Sequence, residues 1–237
     1  MTGADRVAEI LAEVQESAAD GRGLADHLVR IGRDSMDVTG VGLSLMTGTG
    51  PSAVVAATDG TAQVIEDLQF SLGEGPCVES IKSGRPVLHG DLAQTAVELW
   101  PGFTAGALDA GVAAVFAFPL QVGAIMLGAL DLSRDTAGPL RDVDVREAVA
   151  LAGAATALLL HLQMRSEPGE VPADLADRLI DRAVVHQASG MIAVQMGADL
   201  ADALTVLRAR AFASGRPIVD VARDVVARKL RFTHDDM

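Results

Sequence analysis

The densest run of chemically capable side chains lies near the end of the chain. Between residues 204 and 231 stand Arg208, Arg210, Arg216, Arg223, Arg228, Lys229 and Arg231, against only Asp220 and Asp224. Arginine carries a planar fork of donors that fits phosphate bidentately and stacks on a base without help from an aromatic ring. A local cluster of such residues is a candidate polyanion contact; a solvated helix face laced with ion pairs is the plain alternative. The cluster stands out against its background, because 19 Lys and Arg face 32 Asp and Glu in the 237-residue chain, a formal net charge of -13. Residues 1–165 hold 21 acids and 10 bases, and residues 166–237 hold 11 acids and 9 bases. Attraction of the whole molecule to nucleic acid is therefore weak, and local charge has to do the positioning.

Elsewhere reactive residue types are sparse. Cys77 is the single cysteine, which excludes a disulfide framework, a CxxC redox pair and a zinc site built from several thiolates, and fits a reducing, cytoplasmic setting. Its neighbours Pro76 and Val78 give a thiolate no stabilisation, so a structural or pocket-lining thiol is favoured over a redox sensor. Trp100 and Phe103 either line a ligand cavity or fill the core, with core filling favoured. His27, His89, His161, His186 and His234 show no HxxxH or HExxH spacing. There is no GxSxG elbow or phosphate loop, and Gly21-Arg-Gly23 and Gly40-Val-Gly42 lack the rest of a dinucleotide fingerprint. No enzymatic activity, metal or cofactor is expected. The absence of Tyr, with six Phe and one Trp, argues against modules that stack bases on an aromatic sheet.

The elements that must carry these residues can be read from periodicity. Residues 5–19 and 24–36 have helical spacing; Val41 to Met46 and Ala53 to Ala57 read as strands. A Gly/Pro-rich middle leads to an apolar stretch, Val112 to Leu130, whose one conventional polar side chain is Gln121. Pro119 and the Gln-Val-Gly-Ala turn make it two strands of a hairpin rather than a membrane span. A helix from Val143 to Met164 closes this half, an α+β arrangement with a helical layer on one face of a sheet. Arg165-Ser-Glu-Pro-Gly-Glu-Val-Pro172 reads as a linker, which divides the chain into residues 1–165, a linker at 166–172 and a helical unit at 173–237. The N-terminal MTGADRVAEI has no basic region followed by an apolar core, so no secretory signal is expected.

Beyond the linker, three helices are expected and no strands. In the first, Ala173 to Met196, Ile180, Val184, Met191 and Val194 form one apolar stripe, and Val185, Ile192 and Met196 form a second. Two stripes need two packing partners, so Val185, Ile192 and Met196 are assigned to a dimer seam. Asp199 is a plausible N-cap for the second helix, which ends before Ser214-Gly215, and Pro217 opens a third that buries Ile218, Val221, Ala222, Val225 and Val226.

Two ordered motif sets give resemblances. Leu72-Gly-Glu-Gly-Pro-Cys77, Gly84-Arg-Pro-Val, Asp91, Trp100-Pro-Gly-Phe, Gly111, Phe116-Ala-Phe-Pro-Leu120 and Leu127-Gly-Ala-Leu-Asp-Leu132 resemble a GAF domain. The resemblance implies an antiparallel sheet of about six strands, helices on one face, and a small-molecule pocket or protein interface on the other. It names no ligand. Arg182-Ala-Val-Val-His-Gln-Ala-Ser-Gly-Met-Ile192, Ala203-Leu204, Leu207-Arg-Ala-Arg-Ala-Phe212 and Val221-Ala-Arg-Asp-Val-Val226 resemble an ANTAR domain. That family implies a helical bundle with a coiled-coil segment, acting as a dimer on paired RNA stem-loops with hexanucleotide loops to control transcription termination or translation. Contact residues expected on this basis are Arg208, Arg210, Arg216, Arg223, Arg228 and Lys229, with Gln187 as a reader of a base edge; Cys77, Trp100 and Phe103 are the candidate ligand-binding set. A DNA-binding helix-turn-helix and a dimerisation protein whose tail binds another protein are the alternative readings.

Overall fold

The computed structural model describes residues 2–17, 23–47, 50–164 and 173–233. The expected linker at 166–172 lies outside them. Helices α1 (Gly3–Ser17) and α2 (Leu24–Ser35) precede strands β1 (Gly40–Thr47) and β2 (Gly50–Ala57). Then come α3 (Gly60–Leu72), α4 (Pro76–Ser83), β3 (Val87–His89), α5 (Leu92–Thr95) and α6 (Pro101–Asp109). Strands β4 (Ala114–Val122) and β5 (Ile125–Arg134) and helix α7 (Asp142–Met164) complete this half. The C-terminal helices are α8 (Ala173–Met196), α9 (Leu200–Ser214) and α10 (Ile218–Val226).

Period-two alternation builds the sheet, whose order is β2-β1-β5-β4-β3 with every neighbouring pair antiparallel. Val41 and Leu43, Phe116, Phe118 and Leu120, and Leu130 and Leu132 face α1, α2 and α7 in the largest apolar cluster. Among the intervening residues, Gly42, Ser44, Ala117, Ala129, Asp131 and Ser133 are small or polar, and they face the other way. Ala114–Val122 and Ile125–Arg134 are the expected hairpin, turning where Gly123 takes φ 60°. Among the described residues no single helix is long and apolar enough to cross a membrane.

Two expectations change. The sheet has five strands among the described residues rather than about six. Helices also lie on both of its faces, because the Gly/Pro-rich middle folds into α3, α4 and α6. The glycines and prolines there punctuate rather than forbid helix. Asp59 accepts from the Ala62 N–H to start α3, Gly73 ends it at φ 70°, and Pro76 and Pro101 stand in the first turns of α4 and α6.

In the C-terminal unit the caps fall as expected. The Asp199 carboxylate accepts from the Asp202 N–H at 2.8 Å, and Gly215 closes α9 in the left-handed region. The seam assignment is corrected. Val185 and Ile192 are 0% exposed and Met196 is 4% exposed, because α9 and α10 pack on that stripe with Leu204, Leu207, Ile218, Val221 and Val225. Of the other stripe, Val184 and Met191 pack partly against the same cluster, and Val194 is left 85% exposed. Both apolar helices of the same bundle sit on the face assigned to a second molecule. The same cluster contains one residue from the first half of the chain, Phe70 of α3.

Candidate functional site

The small-residue face of the sheet is a floor without bulk. Asp131 of β5 pairs in register with Gly42 of β1 on one side and Ala117 of β4 on the other. Helix α3 lies over this floor, and the missing side chain of Gly42 makes room for Glu66: a Cβ there would sit 2.1 Å from Glu66 Oε1. Gln69, one turn on, accepts through Oε1 from the Cys77 N–H at 2.7 Å, and Cys77 Sγ lies 3.5 Å from Ser44 Oγ. Glu66, Gln69, Cys77, Ser44 and Asp131 thus form one polar nest inside the fold, all of them buried.

The nest is incompletely satisfied. Both carboxylate oxygens of Asp131, Glu66 Oε1 and Gln69 Nε2 are buried without a well-aligned hydrogen bond among the described residues, although Glu66, Gln69 and Cys77 crowd round Asp131. Burial raises Asp131 to about 6. Glu66 is also pushed well up, through burial first and the facing Asp131 second. Two carboxylates in so dry a place cannot both ionise freely, so the nest holds a proton or receives a donor-bearing, positively charged group. Burial, reinforced by Asp131 and Glu66, also pushes the Cys77 thiol well up, which leaves it a poor nucleophile.

Trp100 and Phe103 are brought together, 6.0 Å apart edge to face, but within a packed cluster of Ile65, Val87, Leu92 and Ala107. They support the nest indirectly. The Phe103 N–H donates to Glu74 Oε1 at 2.8 Å, which pins the Leu72–Cys77 loop to α6.

On its outer side α3 meets the C-terminal bundle. The Arg182 guanidinium of α8 lies 4.1 Å over the Phe70 ring and 3.4 Å from Asp67. Arg208 of α9 donates to the Phe70 carbonyl from Nε at 3.1 Å and Nη2 at 2.8 Å. Arg208 was expected on an RNA surface; the structure instead places it in the joint between the two units, where burial lowers it to about 10. His186, also at the joint, is lowered by burial and then by Arg182 and Arg208, and its Nε2 has no partner among the described residues. Clefts of about 380 Å³ and about 450 Å³ open along this joint, the first lined by Asp67, Phe70, Arg182 and Ile218, the second by Gly73, Glu74, Arg208 and Phe212.

The other expected contact residues are exposed: Gln187 on α8, Arg210 on α9, Arg223 on α10, and Arg216, Arg228 and Lys229 flanking α10. Arg223 pairs with Asp220 at 2.9 Å and Arg216 with Asp224 at 2.8 Å, exposed contacts that a phosphate can replace at little cost. Arg228 takes φ 60°, an unusual backbone state for a non-glycine residue, and marks the turn that ends α10.

Residues 18–159, more than half of the chain, match the family model described as GAF domain. The chain belongs to the GAF domain family. An ANTAR domain matches residues 173–226, so the basic bundle is the ANTAR part. The GAF fold has a solved counterpart in the GAF domain of an Acinetobacter phosphoenolpyruvate-protein phosphotransferase. That likeness has a TM-score of 0.51 and 12% identity, and covers 69% of this chain and 98% of that one. A type II free methionine-R-sulfoxide reductase from Thermoplasma acidophilum is similar with a TM-score of 0.46 and 14% identity, covering 62% of this chain and 96% of that one. No curated protein matches the chain.

Within the GAF part the sequence reading found Cys77 but missed Glu66, Gln69 and Asp131. A signal was available for Asp131: it is an acid between two buried leucines of a strand, opposite a glycine-alternating strand. Glu66 and Gln69 sit three apart on α3, a helix hidden by the glycines and prolines around it. Arg182 opens the ANTAR motif, yet the structure gives it to the GAF joint.

Proposed function

We propose that this chain is a non-enzymatic, signal-responsive regulator whose ANTAR bundle binds RNA stem-loops, as a homodimer, to control transcription termination or translation. The GAF domain is its sensor, and the nest of Glu66, Gln69, Cys77 and Asp131 is the place where a small molecule or other signal acts. The observation that carries the RNA reading is the basic surface on and around α10. Arg210, Arg216, Arg223, Arg228 and Lys229 stay exposed there on a molecule that is otherwise strongly acidic. A surface that concentrates arginine while the rest of the protein repels polyanions selects for shaped, locally contacted RNA rather than for any nucleic acid. The dimer is supported by the apolar residue Val194, left in solvent on α8 opposite the bundle core.

Purification of the tagged full chain from cells, followed by sequencing of bound RNA, tests this reading. Enrichment of transcripts with paired short-looped hairpins, lost in Arg210→Ala/Arg223→Ala, is the expected result. Recovery of duplex DNA instead would make the bundle a helix-turn-helix. A protein partner retained after nuclease treatment would make it an interaction module.

A further inference from the structure

We propose that helix α3 is a clamp that holds the ANTAR bundle in a closed state, with Phe70 as its grip, and that RNA competes with α3 for Arg208. The inference rests on the RNA reading above and names its regulation. Three observations carry it. Phe70 is a member of the bundle's own apolar cluster, although it belongs to a GAF helix. Its ring takes the Arg182 guanidinium, and its carbonyl takes two N–H groups of Arg208, so one residue holds two helices of the bundle. Arg208 belongs to the basic cluster of the sequence, and its Nε–Nη2 edge, the one suited to bidentate phosphate contact, is taken by that carbonyl in the partly buried joint.

The clamp has an input built into the same helix. With 3.6 residues per turn, Ile65, Gln69, Glu66, Phe70 and Asp67 follow one another around α3 in that order. Ile65 belongs to the core, Gln69 and Glu66 to the unsatisfied nest, Phe70 to the bundle, and Asp67 to the rim of the joint. A group that enters the nest and satisfies Glu66, Gln69 and Asp131 turns or lifts α3, and any such movement drags the carbonyl of Phe70 away from Arg208. The release is cheap in charge, because among the described residues Arg208 makes no ion pair at the joint, only the two bonds to a neutral carbonyl, and it regains solvent or phosphate on leaving.

The test uses the full chain in four forms: wild type, Phe70→Ala, Phe70→Leu and Asp67→Lys. Small-angle scattering gives the radius of gyration, and a titration with a paired hairpin RNA bearing six-nucleotide loops gives affinity. Asp67→Lys repels Arg182 from an exposed position and leaves the core intact, so the test survives a failure of the Phe70 variants to fold. The clamp predicts that the variants expand and bind the hairpin pair at least about tenfold more tightly, since apparent affinity scales with the fraction of open molecules. Adding Arg208→Ala to the opened form reverses part of that gain. Hairpin binding at equal affinity in expanded variants, or variants that do not expand, would overturn the clamp while leaving the RNA reading in place. No hairpin binding by any form would reject the RNA reading and the competition together.

Discussion

Arg208 donates from Nε at 3.1 Å and from Nη2 at 2.8 Å to the carbonyl oxygen of Phe70, so an arginine of the ANTAR bundle completes the last turn of a GAF helix. The final carbonyls of a helix have no partner within it. Here Gln69 is served by the Gly73 N–H and Phe70 by Arg208. Ordinary helix capping thereby joins the ANTAR bundle to the GAF domain.

That link depends on Gly73. The residue sits at φ 70°, and a Cβ on it would lie 2.5 Å from Arg208 Nη1. Gly73→Ala should therefore cost roughly 1–2 kcal/mol for the left-handed backbone, plus the displacement of Arg208. Thermal and urea unfolding of Gly73→Ala, Arg208→Ala and the double variant should give non-additive losses, the double losing less than the two singles together. Strict additivity would mean that Arg208 does not press on this turn.

The nest makes stability depend on pH in a direction opposite to that of a salt-bridged carboxylate. Asp131 is raised to about 6 in the folded chain, and Glu66 is raised well above its usual range. Below the unfolded carboxylate range both states hold their protons and there is no effect. As pH rises through that range the unfolded chain ionises first, the folded chain holds more protons, and stability falls until the folded groups have titrated. Asp131→Asn and Glu66→Gln should remove much of this fall, gaining roughly 1–3 kcal/mol over wild type at pH 8 and little at pH 4. Urea midpoints across that range decide it; a wild type whose stability rises with pH in step with the variants would show that the nest is not protonated.

How much of this was legible in the sequence follows the physics of each signal. The hairpin at residues 114–134, the N-cap at Asp199 and the stop at Gly215 rest on local chemistry, and local chemistry is written in consecutive residues. The face of α8 that turns inward was not legible. Val185 and Val194 are equally apolar, and only the positions of α9 and α10 decide which is covered. Arg208 shows the same limit for charge, since a guanidinium reads identically whether it faces a phosphate or a carbonyl 138 residues away in sequence. The nest was hidden for a third reason: its members, Ser44, Glu66, Gln69, Cys77 and Asp131, come from four separate elements, and no spacing rule joins them.

The burial of the Val185 stripe reverses the expected effect of acidic substitutions on α8. Val185→Glu/Ile192→Glu should unfold the bundle rather than yield folded monomers, because it places two unpaired charges in its core. Val194→Glu should leave helix content unchanged. Circular dichroism together with analytical ultracentrifugation separates the outcomes; a folded, monomeric Val185→Glu/Ile192→Glu protein would restore that stripe as an interface.

Cys77 should behave as an inert member of the nest. With its thiol pushed up by burial and neighbouring carboxylates, alkylation by iodoacetamide should be slow in the native protein and fast in urea. Cys77→Ser should keep the fold with a loss of at most about 2 kcal/mol, since the hydroxyl has Ser44 and Asp131 within its surroundings. RNA binding that changes with peroxide in wild type and not in Cys77→Ser would make the thiol a sensor.

The central claim, that the basic surface of the ANTAR bundle binds RNA by local charge, is tested most directly by affinity over a salt series. Wild type and Arg223→Ala, each as the full chain, are titrated with paired hairpins, single hairpins and duplex DNA of equal length. Arg223 is exposed on α10, where it pairs with Asp220 at the surface, so its loss should weaken binding to all RNAs alike and reduce the salt slope by about 0.7 per lost contact to a single-stranded loop. Paired hairpins should be preferred over single hairpins and over duplex DNA. An Arg223→Ala protein with unchanged affinity and slope, or a wild type that prefers duplex DNA, would contradict the account.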